Sequence, residues 1–179
     1  MRQDGTAQDR GAPGAKASAP AWDTLHRVNY AETDQMGVAY HANYVVWLDI
    51  GRTEYLRACG MSYRTVEEQG FRLAVGTLGL RYHRAARFDD LVRIRTWVQA
   101  VESRRVTFGF RLTRAGDHHS RAGAIGLGPD DDAGEELLCT AEIGMMVLDA
   151  ALRPARLPAA IGDLLVTGPR LAVPHAPEA

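Results

Sequence analysis

The sequence lacks several features that would assign a protein of this size to a specialised class. Its two cysteines, Cys59 and Cys139, are isolated from one another and from any metal-binding spacing, so neither a disulfide framework nor a cysteine zinc site is indicated. No run of 18 apolar residues is present, which predicts no membrane span, and the start of the chain has no apolar segment typical of a secretory signal. We therefore expect a cytoplasmic protein with two buried, reduced thiols.

Neither acidic nor basic side chains are in clear excess. The formal net charge is −1, and Lys16 is the only lysine, so arginine supplies nearly all the basic side chains. Without a strong basic field, nucleic acid and anionic membrane are not expected as main partners. No P-loop or Gly-x-Gly-x-x-Gly segment indicates ATP or NAD, and we expect neither a cofactor nor a metal ion.

Composition divides the chain into a folded part and two tails. Residues 1–20 are rich in glycine, alanine and polar residues without an apolar period, and residues 166–179 contain three prolines. Such segments bury too little surface to offset the entropy of ordering, so we predict a disordered N-terminal tail and a flexible C-terminal tail. Residues 21–165, within a chain of 179 residues that is 46% hydrophobic, then form one domain with its own core.

The first half of this domain is predicted to contain one strand followed by two helices. Residues 24–32 predict a strand with Val28 and Tyr30 on one face, and residues 41–59 predict a long helix. The helix is apolar nearly all round in its first half, which predicts burial of Val45, Val46 and Trp47. A short helix from Ser62 to Gly70 follows.

The second half changes to a period of two. Residues 71–84, 91–103, 104–114 and 135–149 alternate apolar with polar or small side chains, which predicts four antiparallel strands. Consecutive strands with short links favour a meander, and its apolar face needs the long helix as cover. The pattern therefore predicts an α+β domain in which a curved antiparallel sheet surrounds a central helix, closed by a short helix after Pro158.

A long segment, residues 115–134, interrupts the strands. It contains Asp117, His118, His119 and the run from Asp130 to Asp132, but no spacing typical of a metal site. We interpret it as a solvated hairpin loop.

The most informative stretch is YAETDQMGVAYHANYVVWLD, residues 30–49. Asp34 lies between the predicted strand and the predicted helix, next to the turn at Gly37. An aspartate there either caps a helix or forms a turn, or it serves as a catalytic carboxylate. Glu32, two residues earlier, is interpreted as a surface residue, and Asp49 and Glu54 as structural or interface groups.

This stretch resembles the hotdog-fold thioesterases of the 4-hydroxybenzoyl-CoA thioesterase and YbgC type. The specific part is the spacing of Tyr30, Asp34, Gly37 and His41, followed by Asn-Tyr, and the resemblance extends over residues 25–158. Two departures are Ala85, where the family often has proline, and Asp89, where it often has glycine. The loop at residues 115–134 is also longer than usual.

The resemblance implies hydrolysis of an acyl-CoA thioester, with Asp34 as nucleophile or general base. The amides at the start of the helix lack partners within the helix and would meet the developing oxyanion, with the backbone N–H of His41 as the implied donor. The His41 side chain and the Tyr30 hydroxyl are further catalytic candidates, for polarising the carbonyl and for orienting the reacting groups.

Substrate-binding candidates surround this motif. The list comprises Gly37, Asn43, Tyr44, Arg104 and Arg105; Arg84 and Arg87 also lie near strand ends where arginine would suit the phosphates of coenzyme A. The resemblance further implies homodimers joined at sheet edges, often paired into homotetramers. Two alternatives stay open: a hotdog enzyme acting on another carrier or reaction, such as hydrolysis of acyl carrier protein thioesters, and a non-catalytic acyl-CoA-binding module.

Overall fold

The structure, a computed structural model, describes residues 20–116, 125–126 and 134–170. Nearly all of the N-terminal tail therefore lies outside the described residues, as do residues 171–179. The acidic and histidine residues of the long loop, Asp117, His118, His119 and Asp130 to Asp132, lie outside them too.

The described part contains an antiparallel sheet and three helices. The elements are β1 (Ala21–Arg27), α1 (Asn43–Ala58), α2 (Tyr63–Glu68), β2 (Arg72–Tyr82), β3 (Leu91–Glu102), β4 (Arg105–Ala115), β5 (Ile125–Gly126), β6 (Glu136–Leu148) and α3 (Ala159–Thr167). The strand order across the sheet is β2-β6-β4-β3-β1-β5, with every neighbouring pair antiparallel. The predicted α+β class, a curved antiparallel sheet around a long helix, is confirmed.

The first strand differs from its prediction at both ends. β1 begins at Ala21 and ends at Arg27, and Tyr30–Glu32 form a 3₁₀ turn instead of the end of the strand. The Glu32 carboxylate accepts the backbone N–H of Asn29 at 2.7 Å, a local bond that competes with strand pairing and winds the chain. Val28 is consequently buried whereas Tyr30 is 79% exposed, so the prediction that they share a face is wrong.

Helix α1 lies against β1 and β3. Its buried apolar side chains are Tyr44, Trp47, Leu48, Tyr55 and Leu56, which meet inward-facing strand residues in one core. The burial predicted for Trp47 is confirmed, but the burial predicted for Val45 and Val46 is wrong, since Val46 is 53% exposed. The sheet covers one side of this helix, and no described residue of the same chain covers the side that carries these two valines.

Helix and sheet approach each other most closely at Gly51. A Cβ atom at this position would lie 2.6 Å from Cγ2 of Ile94 and 2.7 Å from Oγ1 of Thr96. Only a residue without a side chain permits this spacing, so Gly51 fixes how closely α1 packs on the sheet.

The strand order corrects the predicted meander. β3, β4 and β6 are neighbours in chain order, as predicted, but β2 pairs with β6 at the far edge and does not touch β3. Residues 83–90 carry the chain from that edge to β3 in the middle of the sheet. A period of two shows that a segment is a strand, but not which strand lies beside it.

The face of the sheet opposite the helix carries a buried cluster of charges. The Asp23 carboxylate accepts hydrogen bonds from Arg95 (Nε and Nη2, both 2.7 Å) and from Arg93 (Nη1, 3.1 Å). Arg93 also binds Glu135 at 2.9 to 3.1 Å, and Thr113 donates to Glu135 at 2.6 Å. This charge cluster of Asp23, Arg93, Arg95 and Glu135 joins β1, β3 and the residue before β6.

The two ends of the described part lie together. α3 continues to Thr167, two residues past the boundary predicted for the C-terminal tail, and the Arg170 N–H donates to the Ala58 carbonyl at 3.0 Å. Gly168 lies against Pro20, since a Cβ atom at Gly168 would be 2.7 Å from the proline ring. Both ends therefore pack beside the C-terminal end of α1.

Candidate active site

Asp34 lies in a tight turn between the 3₁₀ turn and α1. Its carbonyl accepts the N–H of Gly37 at 3.0 Å, and its own N–H donates to Val38 at 2.9 Å. Gly37 has a φ of +72°, which a glycine adopts without strain. One carboxylate oxygen accepts the Met36 N–H at 2.8 Å, whereas no hydrogen bond to the other oxygen is present among the described residues. Asp34 thus shapes its own turn but does not cap the helix, and one oxygen is left for a ligand.

The start of α1 has uncapped amides. The residue before the helix is Ala42, whose methyl group cannot accept a hydrogen bond. Within residues 20–116, no hydrogen bond is donated by the backbone N–H of His41 or of Ala42. The Tyr82 hydroxyl donates to the His41 carbonyl at 2.9 Å and ties this segment to the end of β2. The helix start therefore offers free, positioned donors to a negatively charged group.

The turn and the helix start border the same cavity, which has a volume of about 280 Å³. Its lining residues come from three segments: Asp34, Met36, Val38, Ala39, His41, Tyr44, Tyr82, His83, Arg84 and Ala85. The structure therefore brings together four of the residues singled out from the sequence, namely Asp34, His41, Tyr44 and Arg84.

Tyr44 and Tyr82 form an aromatic wall of this cavity. Their rings meet edge to face with centroids 5.1 Å apart, and the Tyr44 hydroxyl accepts the Ala86 N–H at 2.9 Å. Burial raises the pKa of Tyr44, so its phenol is neutral at physiological pH. The sequence did not indicate Tyr82 or His83 as site residues, because nothing in it shows that the end of β2 meets the start of α1.

Glu32 is not the surface residue that the sequence suggested. Its side chain is 18% exposed, and its carboxylate accepts Trp47 Nε1 at 2.8 Å and the Asn29 N–H at 2.7 Å. Nε2 of His26 lies 3.0 Å from the same carboxylate. Partial burial raises the pKa of Glu32, but the hydrogen bonds from Trp47, Asn29 and His26 outweigh it and lower the pKa overall. The carboxylate is therefore ionised at neutral pH.

Three predicted site residues do not line the cavity: Gly37 only shapes the turn, and Tyr30 and Asn43 make contacts elsewhere. Tyr30 is exposed and packs edge to face on Phe88, with ring centroids 5.8 Å apart. The Asn43 side chain donates to the Glu32 carbonyl at 2.7 Å and so holds the helix start against the 3₁₀ turn.

Arg104 and Arg105 lie far from Asp34 within one chain. Arg105 donates to the Thr77 hydroxyl at 2.7 Å, and Thr77 precedes Tyr82 at the cavity by five residues of extended strand. Five residues correspond to roughly 17 Å. The predicted contact of these two arginines with substrate is not made within the cavity of their own chain.

A second cleft, of about 490 Å³, adjoins the cavity and shares Arg84 and Ala85 with it. Its other lining residues are Arg87, Asp90, Arg114 and Glu136. Asp90 and Glu136 bind the guanidinium of Arg114, and Glu136 also lies 3.8 Å from Arg84, so Arg87 is the basic side chain of this cleft with no carboxylate partner among the described residues.

Among the described residues, no group of three or more His, Cys, Asp and Glu side chains is placed to hold a metal ion. The same part of the chain contains no helix with the length and apolar character that crossing a membrane requires.

The sequence pattern of the thioesterase-like superfamily matches residues 28–165. A curated relative, the acyl-CoA thioesterase YbgC of Haemophilus influenzae, is 42% identical over 89 residues, which is 49% of this chain and 65% of that protein. The chain spans between about half and two thirds of the length of the curated relatives that it matches.

Solved structures share the fold. A hypothetical protein from Thermus thermophilus superposes with a TM-score of 0.67 at 32% identity, over 80% of this chain and 96% of that one. The DHNA-CoA thioesterase from Staphylococcus aureus superposes with a TM-score of 0.63 at 27% identity, over 76% and 80% of the two chains. The pattern match over most of the domain and the shared hotdog fold lead to one conclusion: this chain belongs to the thioesterase-like superfamily.

Proposed function

We propose that this chain is an acyl-CoA thioesterase that hydrolyses a short-chain or aromatic acyl-CoA to the free acid and coenzyme A. One observation carries the proposal. Asp34, whose carboxylate has one oxygen unbonded among the described residues, and His41, whose backbone N–H donates no hydrogen bond there, line the same cavity. A carboxylate beside preorganised N–H donors is what acyl transfer requires.

The proposed chemistry adds water across the thioester. The carbonyl oxygen accepts the His41 N–H and becomes negatively charged as the carbonyl carbon is attacked. Asp34 either attacks that carbon itself, forming an anhydride that water then cleaves, or takes a proton from the attacking water. In both routes the carbon–sulfur bond breaks, the sulfur leaves as a thiolate that is protonated, and the acid is released. The reaction needs no cofactor, because coenzyme A arrives as part of the substrate.

The size of the cavity and its aromatic wall favour a short-chain or aromatic acyl group as the substrate. A volume of about 280 Å³ is enough for an aryl ring or a short chain beside the reacting carbonyl. The neutral rings of Tyr44 and Tyr82 offer an edge and a face to an aromatic acyl group.

The cleft beside the cavity is the proposed binding region for the phosphates of coenzyme A. Arg84 and Arg87 line it, and arginine suits phosphate because its planar guanidinium donates two parallel hydrogen bonds. In this proposal Arg104 and Arg105 contact substrate only in the site of a second copy.

A second copy is part of the proposed function. β2 is an edge strand whose exposed side chains include Val75, Leu78 and Tyr82, and an unpaired apolar edge favours pairing with another chain. We propose a homodimer joined along β2, with pairing into a homotetramer as the next level. We propose the cytoplasm as its location, consistent with the two buried free thiols.

The test compares Asp34→Asn with the wild type across a panel of acyl-CoA thioesters, measuring free thiol release. Asparagine keeps an oxygen to accept the Met36 N–H, so the turn is preserved while the reactive carboxylate is removed. We expect turnover to fall by about 10²-fold or more. Asp163→Asn, the same change at an exposed position on α3, serves as the control and keeps the wild-type rate.

Each other outcome leads to a different conclusion. A folded Asp34→Asn variant with the wild-type rate would show that Asp34 is not the reactive group, and Asp49 and Glu54 would be tested next. A wild type that hydrolyses only acyl carrier protein thioesters would show that the substrate's carrier is that protein and not coenzyme A. A wild type that binds an acyl-CoA without turnover would show that the protein is a binding module and not an enzyme.

A further inference from the structure

The Glu32 side chain is a partly buried carboxylate that has no role in the proposed chemistry. It accepts hydrogen bonds from three separate parts of the chain: Trp47 on α1, the Asn29 N–H at the start of the 3₁₀ turn, and His26 on β1. Because an ionised carboxylate only accepts, the His26 Nε2 that lies 3.0 Å away must carry its proton.

The backbone of the same residue makes two further contacts. The Glu32 carbonyl accepts the Tyr40 N–H at 2.8 Å and the Asn43 side-chain amide at 2.7 Å. Tyr40 precedes His41, and Asn43 is the first residue of α1. The residue two positions before Asp34 is thus bonded to both sides of the segment that carries the free amides.

These contacts fix the two halves of the candidate active site relative to each other. After Glu32 the chain enters the turn of Asp34, and the pairing of Thr33 with Ala39 closes this turn. The helix start is attached to Glu32 through Asn43, Tyr40 and Trp47. No other described residue bonds to both the strand before the turn and the helix after it.

We propose that Glu32 is a positioning residue that holds the Asp34 carboxylate and the His41 amide at the separation that thioester hydrolysis requires. The inference rests on the proposed function. Glu32 does not touch substrate, since it does not line the cavity, and it acts through the placement of Asp34 and of the helix start. Small displacements of reacting groups are costly, and a shift of about 1 Å can reduce a rate by about 10²-fold.

The test is Glu32→Gln. Glutamine has nearly the same volume, but its NH₂ group faces donors, so at least one of the three bonds to the carboxylate is lost. At a temperature well below the melting temperature of the variant, we expect kcat to fall between about 10- and 100-fold while KM stays within about twofold. A variant that is fully folded in the assay cannot lose kcat through unfolding, so this split separates positioning from general stability.

A matched control is Glu68→Gln, the same chemical change at an exposed residue at the end of α2. It is expected to keep the wild-type kcat and KM. A second variant, Asn43→Ser, breaks the other link to Glu32 without altering the partly buried carboxylate. It should lower kcat in the same selective way even if Glu32→Gln fails to fold.

Hydrogen exchange provides an independent measurement. Loss of the Glu32 contacts should speed exchange of the amides of Asp34, Gly37 and Tyr40, while the amides of β3 and β4 keep their protection. An active wild type whose kcat is unchanged by both substitutions would overturn the positioning role alone. A rise in KM on Asn43→Ser with an unchanged kcat would also overturn it, in favour of direct substrate binding. A wild type inactive on every thioester would overturn this role together with the proposed function.

Discussion

Asp89 shows how a single backbone torsion can affect stability without any change in the core. Its φ is +67°, a left-handed conformation that most side chains adopt only at a cost, and its side chain makes one exposed contact of 3.4 Å with Arg27. It is also the position at which the family that this chain resembles often has glycine. The glycine expected there and the torsion observed agree physically, because glycine has no Cβ atom to clash.

Two substitutions of Asp89 distinguish the effect of its positive φ on stability from the effect of its contact with Arg27. Asp89→Gly and Asp89→Ala both remove the exposed contact, but only glycine adopts a positive φ freely. We expect the glycine variant to have a free energy of unfolding about 1 kcal/mol higher than the alanine variant, measured by urea denaturation. Equal stabilities would show that the turn relaxes to a negative φ when the side chain is shortened.

At this scale, the sequence singled out one carboxylate that lines the cavity, Asp34, and misread the surroundings of its neighbour Glu32. Asp34 could be placed at the site because its spacing to Gly37 and His41 is specific, and the structure puts Asp34 and His41 at one cavity. The partial burial of Glu32 could not be recognised, because its partners His26 and Trp47 lie six residues before it and fifteen after it. Tyr30 was misplaced for the related reason that a 3₁₀ turn, and not a strand, carries it.

Among the elements, α1 depends on its close contact with the sheet at Gly51. Glycine inside a helix is normally a weakness of roughly 0.5–1 kcal/mol relative to alanine. At position 51 a steric clash outweighs the gain in helix stability that alanine would bring. The Cβ atom of alanine would overlap Ile94 and Thr96, both fully buried.

A pair of glycine-to-alanine substitutions tests this reasoning. Gly51→Ala should reduce the free energy of unfolding by about 1–3 kcal/mol through overpacking. Gly162→Ala on α3, where the nearest atom to a Cβ is Leu157 Cδ2 at 3.5 Å, should instead increase it by up to about 1 kcal/mol. Thermal and urea unfolding of both variants measure the difference, and a stabilised Gly51→Ala would contradict the close contact.

The elements were easier to predict than their arrangement. The period of α1 and of β2, β3, β4 and β6 gave each element nearly within its observed bounds, because local periodicity records burial directly. The pairing of β2 with β6 has no such local signal, since it depends on a crossover of residues 83–90. The exposure of Val46 was missed because an all-round apolar helix predicts burial without saying what provides the cover.

Across the whole molecule, the charge cluster of Asp23, Arg93, Arg95 and Glu135 links the first strand of the domain to the residue that precedes its last strand. Asp23 is 2% exposed and neutralises two arginines that are themselves buried. Glu135 and Asp23 raise the pKa of Arg93, so its charge is permanent at any physiological pH. Removing one member leaves uncompensated charge in a site that water does not reach.

Asp23→Asn should therefore cost about 3–5 kcal/mol of unfolding free energy, the range for breaking a buried ion pair. Glu54→Gln breaks the exposed pair with Arg57 and should cost no more than about 1 kcal/mol. Unfolding curves recorded at equal protein concentration, at low and at high salt, distinguish them further, because salt screens only the exposed pair. A cost below 1 kcal/mol for Asp23→Asn would show that the arginines find other partners.

The proposed dimer can be tested at the edge of the sheet. Leu78 is 41% exposed on β2, and Leu78→Lys would place a charge in the proposed interface. We expect sizing by light scattering to show a shift from dimer or tetramer to monomer, with loss of thioesterase activity. Val166→Lys, which changes an exposed apolar residue on α3, is the control and should keep the wild-type mass. A monomeric wild type would remove the basis for this expectation.

The contact of Pro20 with Gly168 has a practical consequence for experiments on this protein. Both ends of the described part leave from one corner, beside the C-terminal end of α1, whereas Asp34 and His41 lie beyond its N-terminal end. The 16 residues of α1 separate the two places by about 24 Å. A fluorophore, a surface tether or a fused carrier domain attached before Pro20 or after Arg170 would therefore report on the molecule from the same point, without obstructing the cavity of its own chain.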